Sequence, residues 1–245
     1  MQVIVFASQK GGSGKTTLAG HLAVEAIRQM AGRPDAGPVA LIDTDPQGSL
    51  AKWWNVRKDP EPAFIQSVFS NLFHDLERAR NEGYRFVFID TPPAVTRAIS
   101  EVVSHADLVI APTRPSPHDL RAVAPTMEIV DARAKPLIFA VNGANPRARI
   151  TSEAAIALSQ HGTVAPTVIH SRVDFAASMI DGRTVMEVDP VCRSAQEIGA
   201  LWSYIDGRLQ QLEGFRQAIG DENSAGQPSL LGGASGRVFG RRAFH

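Results

Sequence analysis

Three short groups of residues carry the chemistry this chain can do. The first is Lys10-Gly11-Gly12-Ser13-Gly14-Lys15-Thr16-Thr17, which follows an apolar run and opens a segment of helical periodicity. Glycines let a loop turn its backbone N–H groups inward around phosphate oxygens, and a helix N-terminus adds positive partial charge. Lys15 is placed to reach the β- and γ-phosphates of a nucleotide, and the Thr16 hydroxyl to bind Mg²⁺. Thr17 is placed at the α-phosphate. The usual pattern has a glycine five residues before the Gly-Lys pair, where this chain has Gln9. The second group, Asp43-Thr44-Asp45-Pro46-Gln47, closes another apolar run. Carboxylates two apart on a strand point the same way, so Asp43 and Asp45 can share a site, although Asp also caps turns well. The third is Asp90, which ends the run 86–89 and precedes Thr91-Pro92-Pro93. An acidic residue after an apolar strand can hold Mg²⁺ directly or through water.

Elements must deliver these groups to one place. Residues 3–7, 39–42, 86–89, 108–111, 137–141 and 164–169 are short apolar runs that read as buried strands. Residues 15–30, 67–82, 120–131 and 150–160 read as helices, and apolar residues from Ala195 to Leu212 recur at helical spacing. Continuous apolar strands alternating with helices mean βαβ units around a parallel sheet. Sites in such sheets lie at the carboxyl ends of the strands, where all three groups fall. From residue 220 the chain turns to Gly, Ser, Ala and Asn without periodicity. Residues 220–245 therefore read as a flexible tail behind a domain spanning 1–219.

Composition narrows the classes. The chain has 245 residues, 44% hydrophobic and 20% charged, which suits one large α/β domain. Its 25 basic and 25 acidic side chains give zero net charge, so bulk charge is no argument for a nucleic-acid partner. The single cysteine, Cys192, excludes an internal disulfide, a four-cysteine zinc site and a single-chain Fe–S site. Neither a signal peptide nor an apolar run of transmembrane length is visible, which makes a cytoplasmic protein the expectation. Only 5 of the basic residues are lysines, and two of those, Lys10 and Lys15, sit in the glycine-rich loop.

The loop resembles the variant, or deviant, Walker A motif of the ParA/MinD superfamily, Lys-Gly-Gly-x-Gly-Lys-Thr-Thr/Ser, at every fixed position. The resemblance implies a P-loop NTPase fold: a mostly parallel sheet with helices on both faces. It also implies that Lys10 reaches across an ATP-sandwiched homodimer to the partner's nucleotide. The Asp43–Gln47 stretch is similar to the family's Walker A′ box. By that likeness Asp45 positions the attacking water, and Asp43 supports the magnesium shell or the switch loop. Asp90 matches the Walker B position, so Thr16, Asp43 and Asp90 are the expected metal-side residues. Asn142, after the fifth strand, falls where the family often places an adenine-facing Asn, although Asn is also a common turn residue. Residues 179–187 look like the late Gly-x-Thr/Ser-Val region of short ParA-type proteins.

What the resemblance implies for function is an ATPase switch using ATP and Mg²⁺. It would dimerise with ATP, bind DNA without sequence preference, respond to a stimulating partner protein, and partition or position a cargo. Arg172, Arg193, Arg208 and Arg216 are candidates for a DNA face. A MinD-like membrane role is a competing reading, carried by the tail residues Arg237, Phe239, Arg241, Arg242 and Phe244, which could meet lipid, DNA phosphates or only water. An ATP-dependent biosynthetic ligase of the same fold is an enzyme-class alternative, disfavoured by Lys10 and the Asp43–Gln47 box. Relatives that depend on cysteine pairs or tyrosine clusters do not fit one cysteine and two tyrosines.

Overall fold

The computed structural model describes residues 1–94 and 96–225. Its strands are β1 (Gln2–Phe6), β2 (Val39–Asp43), β3 (Ala63–Phe64), β4 (Phe86–Asp90), β5 (Leu108–Thr113), β6 (Leu137–Ala144), β7 (Thr163–Val164) and β8 (Ile169–His170). They form one sheet in the order β3-β2-β4-β1-β5-β6-β7, with β8 also paired to β6. Every pairing among the described residues is parallel. Strand β1 lies mid-sheet between β4 and β5, so the loop that leaves it emerges where the chain later crosses from one side of the sheet to the other. Doubly wound sheets bind ligands at such a point.

Side-chain alternation along the central strands builds two cores. Ile4, Phe6, Leu41, Phe86 and Phe88 pack on one face against the helices α1 (Lys15–Met30) and α10 (Arg193–Ala225). Val3, Val5, Ile42, Val87 and Ile89 face the other way, against α3 (Leu72–Asn81) and α4 (Arg97–Ser104). Because both faces are covered, the strands read as unbroken apolar runs in sequence. Trp202 of α10 anchors the first face, edge-on to Phe86 at 5.1 Å. The expected α/β sheet with helices on both faces is the architecture observed.

Several boundaries differ from the sequence reading. The expected sixth strand, 164–169, is two short pieces, β7 and β8, that pair with different stretches of β6. Pro166 lies between them and cannot donate to a ladder. The helix expected over 120–131 is two, α5 (Pro117–Arg121) and α6 (Ala124–Ala132), with a proline in the first turn of each. Short α2 (Ser49–Asn55), α8 (Val173–Met179) and α9 (Val185–Val188) had no readable period, while α7 (Arg149–Ser159) matched its expected span. By its internal contacts the chain falls into two compact units, Met1–Leu209 and one that begins at Gln210. Among the described side chains Leu209 is the last fully buried apolar residue of α10, and the helix itself runs to Ala225. The remainder of the expected tail, with its arginines and phenylalanines, lies outside the described residues.

Candidate nucleotide site

The loop between β1 and α1 is shaped by its glycines. Gly14 has φ 99° and caps α1 without a side-chain hydrogen bond. A Cβ there would stand 2.1 Å from the Asn142 amide nitrogen, so the position takes only glycine. The first turn of α1 carries no acidic residue. Its amides are therefore left for an anion. Lys15 is 7% exposed and donates to the Ser8 carbonyl at 3.1 Å, curling back over its own loop. Burial lowers the Lys15 pKa, opposed by the charges of Asp90 and Asp45.

Thr16 Oγ1 donates to Asp90 Oδ2 at 2.5 Å. Asp90 is 1% exposed, and its other oxygen, Oδ1, has no hydrogen-bond partner among the described residues. Burial pushes its carboxyl up to about 7, opposed by the Thr16 hydroxyl and reinforced by the charge of Asp43 beside it. Burial thus works against the charges of both Lys15 and Asp90, which offset each other only in part across the site. Magnesium and polyphosphate fit it: Asp90 Oδ1 is a free hard oxygen ligand beside a threonine hydroxyl. Among the described residues no cluster of three or more His, Cys, Asp or Glu could hold a metal alone. That composition suits Mg²⁺, which is held by one or two protein groups with phosphates and water.

Asp43 and Asp90 are direct neighbours on β2 and β4. Both Asp43 carboxylate oxygens accept from backbone amides. Its Oδ1 accepts from the Asp45 amide, and its Oδ2 from the amides of Leu50 and Ala51, all at 3.0 Å. These bonds tie Asp43 to the stretch from Asp45 to Ala51. The carboxylate caps α2 from outside the helix and so holds the segment that carries Asp45. Asp45 itself accepts from the Gln47 amide at 2.9 Å and lines a cavity of about 690 Å³ with Gly12, Lys15, Thr16 and Lys52. Gly11 lines the same cavity; Ser13 is buried, its hydroxyl without a partner among the described residues. Lys10 is exposed and its ammonium has no partner among the described residues.

Asn142 donates to the Ser13 carbonyl at 2.7 Å. Its amide thus props the phosphate loop, while the residue also lines a smaller cavity of about 200 Å³ with Gly14, Thr17, Gly143 and His170. Arg172, one of the candidates for a DNA face, is clamped to Glu197 by two hydrogen bonds of 2.7 Å, with His170 on the same carboxylate. Arg193 does stand exposed at the start of α10.

Sequence reading missed several supports. Thr44 Oγ1 donates to the Asp90 carbonyl and Thr91 Oγ1 to the Phe6 carbonyl, both at 2.7 Å. These bonds stitch together the ends of β2, β4 and β1. Residues 179–187, singled out only by resemblance, dock α2: Trp53 Nε1 donates to the Arg183 carbonyl, and Arg57 donates twice to Glu187 and once to the Gly182 carbonyl. Burial raises the Glu187 carboxyl, but the hydrogen bonds from Arg57 and Thr184 and the Arg57 charge together outweigh it and hold the group below its usual value. A threonine after an apolar strand was the one available signal for the stitches. The docking contacts had none.

Parallel sheet, glycine loop, helix N-terminus and Thr16–Asp90 pair together define a P-loop nucleotide-binding protein. The chain belongs to the CobQ/CobB/MinD/ParA nucleotide binding domain family, whose model matches residues 4–219. It is 28% identical over 204 residues to the maintenance of carboxysome distribution protein A of Halothiobacillus neapolitanus, covering 79% of this chain and 91% of that one. It is 27% identical to the chromosome-partitioning ATPase Soj of Thermus thermophilus, over 85% of this chain and 96% of that one. Its fold matches McdA of Cyanothece solved with ATP, at a TM-score of 0.67 and 16% identity, covering 87% of this chain and 96% of that one.

Proposed function

We propose that this chain is an ATP-dependent dimerising switch that hydrolyses ATP and partitions or positions a cargo through non-specific DNA binding. The observation that carries this reading is the phosphate loop itself: free first-turn amides, a buried Lys15 and the Thr16–Asp90 pair meet at one strand end, with Lys10 exposed beside them. The first-turn amides and Lys15 would hold the phosphates. Mg²⁺ would sit on Thr16 and Asp90, and when bound supplies neutralisation of the phosphate oxygens. Asp45, on a loop held by Asp43, would orient the water for in-line attack, a reaction driven by positioning and charge stabilisation.

Lys10 is the lysine of the deviant Walker A pattern, and its exposed ammonium suits a reach to the nucleotide of a second copy. Large apolar side chains at the mouth of the same cavity support a covered face: Ile180 is 80% exposed and Val56 52%. The names of the relatives support the switch class, since one distributes carboxysomes and another partitions chromosomes. For this chain the cargo is a plasmid, a chromosome region or a protein complex, and a stimulating partner protein acts on the ATP dimer. Among the described residues no helix is long and apolar enough to cross a membrane.

The test is a paired assay with ATP and with ADP. Random-sequence DNA should be bound with ATP only, weakening as salt rises. Pelleting with anionic liposomes and indifference to DNA would replace this reading with the membrane one. ATP turnover that requires a small-molecule acceptor would replace it with the ligase one.

A further inference from the structure

Arg114 stands directly after β5, on the loop that leads through Pro115 and Ser116 into α5. That loop is stiff. Pro112 and Pro115 flank the residue, the Ser116 amide donates to its carbonyl at 2.8 Å, and Ser116 then caps α5. Across the strand pair Thr113 aligns with Val141, which brings Arg114 beside Asn142 and so beside the phosphate loop. The side chain lies over Gly143, whose φ is +64°, and a Cβ there would meet Arg114 Nε at 3.4 Å. The missing side chain at Gly143 thus leaves the guanidinium its path.

Two cavities flank the loop, and four residues line both: Gly14, Thr17, Arg114 and Met179. Arg114 is the cation at that junction. The other lysines and arginines on these walls serve one cavity each: Lys15 and Lys52 the larger, Arg172 the smaller. Arg172 is neutralised by Glu197, whereas Arg114 is exposed and its guanidinium has no hydrogen bond or ion pair among the described residues. An uncommitted planar fork of donors, held by a proline-flanked loop at the first turn of a phosphate-binding helix, matches the geometry of a phosphate.

We propose that Arg114 is a nucleotide-binding residue that grips the polyphosphate of its own subunit at the junction, on the α-phosphate side set by Thr17. This rests on the nucleotide reading above and adds to it a second cation, supplied from β5 rather than from the loop. A grip at that end is shared by diphosphate and triphosphate. It is therefore distinct from a partner-supplied cation at the γ-phosphate, which acts only with ATP and in the dimer.

The experiment measures affinity for Mg·ADP and for a non-hydrolysable Mg·ATP analogue by titration calorimetry. The proteins are wild type, Arg114→Ala, Arg114→Lys and Arg121→Ala, the last being an exposed arginine on α5 that lines neither cavity. Arg114→Ala should weaken both nucleotides by about 10- to 100-fold. Arg114→Lys should recover part of the loss, because a point charge replaces a fork. Arg121→Ala should bind as wild type, and all four should share one thermal midpoint. Unchanged ADP affinity in Arg114→Ala overturns the proposal, including the case where only ATP hydrolysis falls. An equal loss in Arg121→Ala overturns it in favour of bulk charge. Wild type that binds neither nucleotide overturns the nucleotide reading beneath it; wild type that binds while Arg114→Ala binds equally overturns this inference alone.

Discussion

His21 offers a stability prediction that tests the packing beneath the site. It lies on α1, one turn after Thr17, with no exposed surface. The Val185 amide donates to its Nε2 at 3.2 Å, which assigns the ring proton to Nδ1, 2.8 Å from the Thr17 carbonyl. Phe175 closes the pocket edge-on at 5.2 Å. The ring thus bridges the first turn of the phosphate helix and the start of α9. Burial drives its pKa down from 6.5 to about 4, against the opposing pull of the Thr17 carbonyl.

The sign follows from which state takes the proton first. As pH falls below 6.5 the unfolded chain protonates His21 while the folded protein does not, so stability is lost progressively until about pH 4. At 1.36 kcal/mol per unit, the His21 contribution to the loss between about pH 7 and about pH 4.5 is about 2 to 3 kcal/mol. His21→Leu removes the titration and strands the Val185 amide, which costs about 1–3 kcal/mol at neutral pH. Urea unfolding of both proteins across this range separates the two effects, because carboxylate titrations are common to both. The wild-type profile should fall more steeply than that of the variant by the stated amount. Parallel profiles, or a folded-state imidazole that titrates near 6.5 by NMR, would refute the buried-neutral assignment.

Other perturbations act at the site itself. Lys15→Ala should abolish nucleotide binding in calorimetry, and affinity like that of wild type would remove Lys15 from the phosphates. Asp45→Ala should retain ATP but lose hydrolysis and accumulate as an ATP dimer on sizing columns; a species that stays monomeric with ATP counts against its role. Gly14→Ala should block nucleotide binding, because its Cβ collides with Asn142 and its φ of 99° strains any L-residue, by about 1–3 kcal/mol. Adding Asn142→Ala should return part of that binding, and no recovery would show that the collision is not the cause.

Local signals were legible where chemistry and structure share a short stretch of chain. The glycine loop, Asp45 and Asp90 were readable because a strand end and its next few residues build those parts almost alone. The alternating cores of β1, β2 and β4 followed from unbroken apolar runs, since both faces of the sheet are covered. Short helices such as α2 and α9 were invisible because they hold no full period of their own. They exist by docking, as Arg57 does on Glu187 across 130 residues of chain.

By itself, the sequence indicated the main alternation of apolar strands and helices, the glycine loop, and the carboxylates at the strand ends beside it. Tertiary structure alone decided what each polar group touches. It bonded Asp43 to the first amides of α2, locked Arg172 onto Glu197, propped the loop on Asn142, buried His21 and left the Arg114 guanidinium without a partner among the described residues at the join of two cavities. The physical reason is range. Loop shape and strand burial follow from neighbours a few residues away. A side chain's partner depends on which distant segments the sheet brings together, and hydrogen bonds spanning 25 to 164 residues leave no trace in spacing.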